Sequence, residues 1–453
     1  MTSTPNATRA LAAFAVGLRR DAVPQEQFQY VRKSLLDWLG CCLAGTREPD
    51  VRSLDEVLQE AGGTGDVTVI ARGRRATVLD AALLNGAAGN LLDLDDVHPQ
   101  LIGHPTSVLA PTLLALAEWK GLDGGRLQAA WIAGYEAMVR IGLATEPQLY
   151  ERGWHATGAL GVFGSCAAAA NLLGLDEDQA VAALAIAGAQ AAGLRELFGT
   201  SSKCIHHGKA AQAGILACLW ARKGVASAPD VLGGRFGLRT LSEPVRLDAI
   251  VDGLGQRFHL QQTCYKRHAA CGSVHSAIDA AMALRALPGF DADGVERIDV
   301  ATHTLSVSLT QDNARARTGF EAKYSMHYAL ALAFLEGSGD LDLYTDARVL
   351  DPRVRALAAR VHMTADARMQ YIEAMPSHVV VTMKDGRRHE LRVDAPKGRP
   401  SNPMSWGDMA DKFRRLAAPT LSAATASKVV AGVDALDACD VRGLLRLLAR
   451  DEA

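Results

Sequence analysis

The sequence predicts a mainly α-helical protein with a smaller α+β second domain. Residues 1 to about 260 are rich in alanine, the best helix former, and place apolar residues at helical spacing. Further on, Ile298, Val300 and Thr302 alternate with polar residues, a pattern typical of a strand that is buried on one face. Helical spacing then returns near the C-terminus. These three observations favour two domains of different class.

The domain boundaries are predicted from the places where the pattern changes. We expect residues 1–264 to form the N-terminal part of a large helical domain. Residues 265–395 are expected to form the α+β domain, and residues 396–453 to be helices that return to the helical domain. A chain of 453 residues with 49% hydrophobic residues can bury cores for both domains.

The first predicted domain contains a series of helices. The helix after Pro24 carries an apolar stripe and ends at Gly45. In the segments 164–174 and 180–192, alanine and glycine are frequent enough for helices to pack backbone to backbone. The further predicted helices cover residues 51–60, 107–119, 126–145, 158–173, 177–192 and 208–223.

The second predicted domain mixes helices with strands. The β-branched run from His378 to Met383 is followed by the Asp-Gly turn signal in 384–387 and by a returning strand at 391–393. Helices are expected at 271–287, 322–337 and 351–361, and in the C-terminal tail at 409–416, 421–433 and 441–448.

Composition excludes several classes of partner. The formal net charge of −2 gives no support for a nucleic acid or an anionic membrane as the main partner, and no apolar run is long enough to span a bilayer. The eight cysteines lie mostly in apolar surroundings without C-x-x-C spacing, which is typical of reduced thiols in a cytoplasmic protein. Glycine-rich nucleotide motifs, the G-x-S-x-G motif and H-E-x-x-H are absent from the sequence, so a nucleotide cofactor has little support.

The most distinctive polar cluster follows an apolar helix that contains Asn85 and Gly86. It comprises three acids and two histidines: Asp93, Asp95, Asp96, His98 and His104. A second helix is expected to start near Thr106 or Ser107, either of which can cap it, and its N-terminus would favour a nearby anion. Because a helix that buries its body presents its polar end outward, the cluster is expected at a cleft or at solvent.

Two further clusters precede predicted helices and are rich in cationic side chains. His155 lies between glycines, which allow close approach of an anionic substrate, although an incidental histidine at a helix entry is the plainer alternative. Lys203, His206, His207 and Lys209 together suggest a pocket for carboxylates. A solvated basic turn is the alternative for this second cluster.

The α+β domain carries its own candidates. On a continuous helix His268 and His275 would share a face with Cys271 between them, but this spacing alone is weak support for a metal site. Lys266 precedes these residues, and Tyr328 opens an apolar helix, where a buried tyrosine with a satisfied hydroxyl is the alternative to a functional one.

In their order along the chain, these clusters resemble the motifs of the MmgE/PrpD family, which includes 2-methylcitrate dehydratase, cis-aconitate decarboxylase and iminodisuccinate epimerase. The resemblance runs nearly end to end. The motifs that carry it are Asp37–Gly45, Asn85–Asp96 with His104-Pro105, Gly153-Trp154-His155, Lys203 with His206 and Gly208, His275 with Asp279, Lys323–Tyr328, Lys384-Asp385-Gly386, and Asn402-Pro403 with Lys412-Phe413.

The resemblance implies a helical domain made from both chain ends, an α+β lid, a homodimer, and chemistry on a small carboxylic acid without metal or cofactor. It implies that the catalytic residues are Asp93, His104, His155, Lys203, His275 and Tyr328. We add Lys209, Lys266 and His206 as candidate substrate-binding residues, because their charge or hydrogen-bonding capacity suits carboxylates.

Two departures from the family pattern bear on the substrate. Val97 stands where family members often have threonine, and Asn90 where they often have histidine. The leading hypothesis is a lyase that eliminates water or carbon dioxide from a di- or tricarboxylic acid. The spacing of Gly103-His104-Pro105 leans slightly toward a dehydratase or an epimerase. An epimerase, a non-catalytic carboxylate-binding relic and a metal-dependent hydrolase are the alternatives.

Overall fold

The protein consists of two compact units, which we describe from a computed structural model of residues 6–310, 314–370 and 374–449. The first unit comprises Met1–Thr263 and Ser405–Ala453, and the second comprises Cys264–Met404. The predicted fold class is confirmed, since helices dominate and the second unit carries a small mixed sheet.

The N-terminal part of the first unit is helical apart from a two-stranded hairpin, β1 (Val67–Val69) with β2 (Arg74–Ala76). Short 3₁₀ turns join several of the helices. The helices are α1 (Ala7–Gly17), α2 (Gln25–Gly45), α3 (Pro49–Glu60), α4 (Val78–Leu91), α5 (Thr106–Lys120), α6 (Gly124–Thr145), α7 (Gln148–Glu151), α8 (Ala156–Leu173), α9 (Glu177–Gly188), α10 (Ile205–Ala221) and α11 (Leu247–Val251).

Helix α8 lies at the centre of this unit, packed against α6 on one side and α10 on the other, and α10 also packs against α4. Glycines allow the close approach of α4 and α10. A Cβ on Gly86 would lie 2.8 Å from the Cα of Gly208, and a Cβ on Gly208 would lie 2.1 Å from the carbonyl oxygen of Leu83. This contact brings the end of α4 close to the start of α10, where the predicted site residues lie.

The second unit packs helices with a four-stranded sheet in the order β4-β3-β5-β6. Strand β3 pairs in parallel with β4 and antiparallel with β5, and the Lys384–Arg387 turn joins β5 to β6 as predicted. Its elements are α12 (His275–Arg285), β3 (Val295–Thr302), α13 (Thr304–Thr310), α14 (Gly319–Ala322), α15 (Met326–Glu336), α16 (Asp346–Val349), α17 (Pro352–Ala358), β4 (Val361–Ala365), β5 (Ser377–Met383) and β6 (Arg388–Val393).

The C-terminal helices are α18 (Trp406–Ala417), α19 (Ala423–Asp434) and α20 (Val441–Leu448), and α18 packs against α2. The second unit extends to Met404, beyond the boundary that the sequence placed after residue 395. The reason is hydrogen bonding: the Tyr265 backbone N–H donates to the Gly398 carbonyl, and the Lys397 N–H donates to the Asp279 carboxylate.

Two local predictions were wrong, and one strand was missed. Helix α9 ends at Gly188, because the chain leaves the helix and brings the Gly193 carbonyl 3.0 Å from the His155 backbone nitrogen. Residues 271–274, predicted as the start of a helix, are not part of α12, since the Cys271 N–H donates to the Lys323 carbonyl at 2.8 Å. Strand β4 was not expected at all.

One helix, Ala156–Leu173, is long and apolar enough to cross a membrane by length and composition. Of the residues in this 18-residue window, 89% are buried within the protein, because this is the central helix α8. Burial of this kind is typical of the core helix of a soluble protein.

Candidate active site

The site is built first by the loop that follows α4. Asp93 adopts a left-handed backbone conformation, with φ of +54°, and its N–H donates to the Asn90 carbonyl at 2.7 Å. This turn ends the helix and carries the chain through two fully buried acids, Asp95 and Asp96. Left-handed backbone is uncommon for a residue with a side chain, so surrounding contacts must hold the loop.

Neighbouring side chains hold the two buried acids. Asn90 Nδ2 donates to Asp95 Oδ1 at 2.8 Å, and the Ser107 hydroxyl donates to Asp95 Oδ2. The Thr106 hydroxyl donates to Asp96 Oδ2 at 2.7 Å. The sequence predicted that the side chain of Thr106 or Ser107 would cap α5. Both side chains bind the acids instead. Asn90, which departs from the family pattern, therefore serves as a hydrogen-bond donor to Asp95.

Asp96 differs from its neighbours in its protonation. Burial, together with the charge of Asp95, raises the pKa of the Asp96 carboxyl well above its usual range. Its second oxygen has no hydrogen-bond partner among the described residues. A neutral carboxylic acid at this position avoids placing two charges side by side in the interior.

Lys203 and His104 meet at Asp93. The Lys203 ammonium donates to Asp93 Oδ1 at 2.9 Å, and His104 Nε2 lies 3.5 Å from the same oxygen. On the other side of the His104 ring, Nδ1 lies 3.2 Å from Asp95 Oδ2. The His104 imidazole is thus flanked by a carboxylate on each side, and its backbone N–H is held by the Thr157 hydroxyl.

Three more histidines surround His104. His155 precedes α8, and its Nδ1 lies 2.9 Å from Nδ1 of His206 in α10. The His207 ring lies 5.3 Å from that of His155 and 5.5 Å from that of His104, measured between centroids. Since one of the two paired Nδ1 atoms must donate and the other accept, His155 and His206 are held in complementary tautomers.

Burial keeps these imidazoles neutral. Burial lowers the pKa of His155 well below the usual range, and the nearby His207 lowers it further. Burial likewise lowers the pKa of His207 well below the usual range, and His104 is the next cause. The pKa of His206 is also lowered, first by burial and then by the Lys203 charge. Neutral imidazoles can accept a proton, which is the property a general base needs.

Phe198 forms a wall beside these groups. Its ring lies edge-on to His155 at 4.9 Å, and the Lys203 ammonium lies 5.3 Å from its centroid. An aromatic wall reduces the access of water to the ammonium and strengthens its interaction with any anion that enters.

The second unit holds the other predicted site residues. His275 begins α12, and its Nε2 donates to the Ala270 carbonyl at 3.0 Å, so its Nδ1 is the acceptor nitrogen. The Tyr328 hydroxyl donates to the Leu343 carbonyl at 3.1 Å, and burial raises the pKa of this tyrosine to about 12. Lys266 is buried in the same unit.

The structure therefore groups four of the six predicted catalytic residues, Asp93, His104, His155 and Lys203, in one buried cluster of the first unit. His206 belongs to this cluster. Lys209 does not: it is exposed on α10, and its ammonium donates to Gln212. Lys209 lies outside the cluster because helix periodicity turns it away from the buried face.

Asp95 and His207 belong to the cluster, although the sequence assigned neither of them a catalytic or substrate-binding role. Asp95 contacts His104, and both ring nitrogens of the fully buried His207 have no partner among the described residues. The His-His doublet and the repeated acids of the loop were the available signals. Neither signal distinguishes a site residue from its neighbour without the fold.

A metal ion has partial support from the donor set. Asp93, Asp95 and His104 each offer a ligand atom, and these atoms lie within 4.8 Å of one another. Asp93 already accepts from the Lys203 ammonium, however, and that positive charge opposes a second cation. The predicted set of His268, Cys271 and His275 does not share a helix, and the absence of a metal requirement stays a prediction.

Comparison with known families agrees with these motifs. Residues 9–244 match the MmgE/PrpD N-terminal domain, and residues 268–437 match the MmgE/PrpD C-terminal domain. The chain belongs to the MmgE/PrpD family. The resemblance predicted from the sequence is confirmed.

Relatives within the MmgE/PrpD family are similar over nearly their whole length. The cis-aconitate decarboxylase-like protein oryM of Aspergillus oryzae is 27% identical over 479 residues, covering 99% of this chain and 98% of that protein. Cis-aconitate decarboxylase of Aspergillus terreus is 27% identical, with 97% and 95% covered. The human cis-aconitate decarboxylase is 27% identical, with 96% and 93% covered.

The buried histidine of the MmgE/PrpD loop gives a prediction about stability. His98 is fully buried, and burial lowers its pKa to about 3. Below the unfolded pKa of about 6.5 only the unfolded chain takes up this proton, so stability falls as the pH falls. Between pH 6.5 and pH 5 the loss from His98 is roughly 2 kcal/mol.

Urea unfolding at pH 7 and pH 5 measures this loss. In His98→Asn the amide oxygen can replace Nδ1 as acceptor for the Leu101 N–H. We expect the free energy of unfolding of this variant to fall less on acidification than that of the parent protein, by about 2 kcal/mol. Equal losses in the two proteins would contradict the assignment of His98 as a buried neutral imidazole.

Proposed function

We propose that this protein is a lyase that removes carbon dioxide from a small unsaturated tricarboxylic acid such as cis-aconitate. The observation that carries the proposal is the buried cluster in which Lys203 and His104 share Asp93 beside neutral His155. We choose decarboxylation because the relatives named above are cis-aconitate decarboxylases or a cis-aconitate decarboxylase-like protein, although the Gly103-His104-Pro105 spacing leans slightly the other way.

The chemistry requires charge stabilisation and one proton. When the bond to the departing carboxylate breaks, its electron pair stays on the substrate, delocalised over the adjacent double bond and a remaining carboxylate. Carbon dioxide leaves, and a proton donor completes a new C–H bond. The substrate thereby loses one negative charge, and one proton is taken from solvent for each turnover.

The cluster contains groups suited to each part of this reaction. The Lys203 ammonium would bind a substrate carboxylate and stabilise the developing charge, while Asp93 holds the ammonium in place. His155 and His206, with complementary tautomers, form a path along which a proton can move to the reacting carbon. His104, between two carboxylates, is a second candidate donor.

The alternatives use the same residues differently. In a dehydratase of the 2-methylcitrate type, a neutral imidazole such as His155 would remove a proton from carbon before water leaves. In an epimerase the proton would return on the opposite face without bond cleavage. In a carboxylate-binding relic no chemistry would follow binding, although the retained cluster speaks against this reading.

Proton NMR in deuterated water, with EDTA present, tests the proposal. The panel comprises cis-aconitate, 2-methylcitrate, citrate and an aminodicarboxylate. A deuterated product with one carboxylate fewer supports a decarboxylase that needs no metal. Loss of water alone, or exchange with only a stereoisomer formed, would replace it with the dehydratase or the epimerase. Calorimetric binding of an acid without any exchange would favour the relic.

Binding of the acid should be coupled to proton uptake. A carboxylate placed beside His155 and His207 raises their depressed imidazole pKa values, so the protein should take up a proton as the anion binds. Affinity should therefore increase as the pH falls from about 8 to about 6. Titration calorimetry at one pH in phosphate and in Tris measures the uptake. Identical binding heats in both buffers would contradict this prediction.

The family relationship supports a homodimer without a cofactor, and the eight free cysteines support a cytoplasmic location. We propose that the protein acts as a homodimer, works in the cytoplasm and needs no cofactor. Sedimentation velocity at micromolar concentration measures the oligomeric state.

A further inference from the structure

The C-terminal helix α18 delivers a buried lysine to the loop that carries the site acids. Lys412 is only 3% exposed, and its ammonium donates to Asp37 Oδ1 at 2.6 Å and to the Leu94 carbonyl at 2.8 Å. Asp37 lies in α2 and is buried as well. Lys412 therefore links two helices to the backbone of a loop that is distant from it in sequence.

Leu94 stands between the two acids that contact His104. Asp93 lies 3.5 Å from His104 Nε2, and Asp95 lies 3.2 Å from Nδ1. A shift of the peptide at Leu94 would move both carboxylates relative to the imidazole. Because Asp93 has a left-handed backbone, the position of this peptide depends on contacts from outside the loop.

Neighbouring helices also hold the carboxylates of this loop. Asn90 and Ser107 bind the Asp95 carboxylate, and Thr106 binds that of Asp96. Lys412 binds the carbonyl between them. Helices α4 and α5 thus bind carboxylates of the loop, while the Asn90 carbonyl of α4 and Lys412 of α18 bind its backbone.

The charge of Lys412 suits this position. Although burial alone lowers the pKa of a lysine, Asp37 and other nearby groups including Asp95 outweigh it, and the pKa of Lys412 is raised. The ammonium stays charged and offsets the repulsion among the buried acids of α2 and the loop.

We propose that Lys412 is a positioning residue of the active site: through the Leu94 carbonyl it sets where Asp93 and Asp95 lie against His104. It touches no reacting atom in this role. The expected effect on turnover rests on the proposed function. The position of the loop acids against His104 does not depend on that function.

The test uses Lys412→Met, which keeps the length of the side chain and removes its charge and donors. Lys428→Met, on an exposed lysine of α19, is the matched control. The first readout is the His104 imidazole signal in protein labelled with ¹³C at histidine Cε1, assigned with His104→Gln. The second readout is kcat and KM for the acid that the panel identifies.

We expect Lys412→Met to shift the His104 signal, while kcat falls at least tenfold and KM changes less than threefold. Lys428→Met should change neither readout. Should Lys412→Met fail to fold, Asp37→Asn/Lys412→Met replaces it, because this double variant leaves no buried carboxylate of the pair uncompensated. The same shift and loss are expected for it.

An unmoved His104 signal in a folded Lys412→Met or double variant would overturn the proposal, whatever the activity. A shifted signal with unchanged kcat would overturn its catalytic part. If the parent protein acts on no acid of the panel while the signal shifts, the proposed function fails and the geometric inference stands. The two failures are therefore distinguishable.

Discussion

Lys203→Met is expected to lower kcat for decarboxylation by roughly 10²- to 10³-fold, the loss typical when a group that stabilises developing charge is removed. The Lys203 ammonium lies 2.9 Å from Asp93 and beside the Phe198 ring, where little water screens its charge. Methionine fills a similar volume but cannot neutralise a carboxylate or a developing carbanion. Steady-state kinetics on the purified variant measure the loss.

Two variants separate chemistry from stability in this experiment. Removing Lys203 takes the cation away from the buried Asp93, so unfolding should become easier by several kcal/mol, about 3–5 for a fully buried pair. Lys203→Met/Asp93→Asn should recover much of this stability without recovering activity. Lys209→Met is the matched control, since Lys209 is exposed, and should keep activity. Equal kcat in the Lys203 and Lys209 variants would refute the role of Lys203.

His155→Ala is expected to lower kcat by about 10²- to 10⁴-fold, the range typical of a group that transfers a proton in the transition state. His155 is neutral and paired with His206, and it lies near His104 and His207. Alanine removes the path for the proton while leaving Lys203 and Asp93 unchanged. Substrate binding should weaken less than turnover.

The pH profile distinguishes a proton-transfer role from a packing role. If His155 moves a proton, one limb of the kcat profile of the parent protein should disappear in the variant. His362→Ala, on a histidine exposed in the second unit, is the control and should keep both limbs. A His155→Ala variant that retains the parent profile and loses less than tenfold in kcat would contradict the assignment.

Much of the fold was predictable because its signals are local. Helical spacing located most helices of the first unit, and the Asp-Gly turn at Asp385 located the hairpin of β5 and β6. Strand β4 was missed, since it is short and mostly exposed, and it is defined by parallel pairing with β3, which is distant in sequence.

Several roles at the site depended on neighbours that local patterns do not identify. Thr106 and Ser107 look like helix caps, but the turn at Asp93 brings the acids within reach of their hydroxyls. Lys209 looks like part of a basic pocket, but α10 turns it outward. Lys412 shares a buried ion pair with Asp37, a residue 375 positions earlier in the chain.

The sequence by itself determined the fold class, the family and the residue types available for chemistry, because periodicity and motif order are properties of the chain alone. Only the tertiary structure decided which of these residues share a buried cluster and which imidazoles are neutral. Burial and the distances between charges set those properties, and both arise from the packing of α4, α8 and α10 rather than from residue identity.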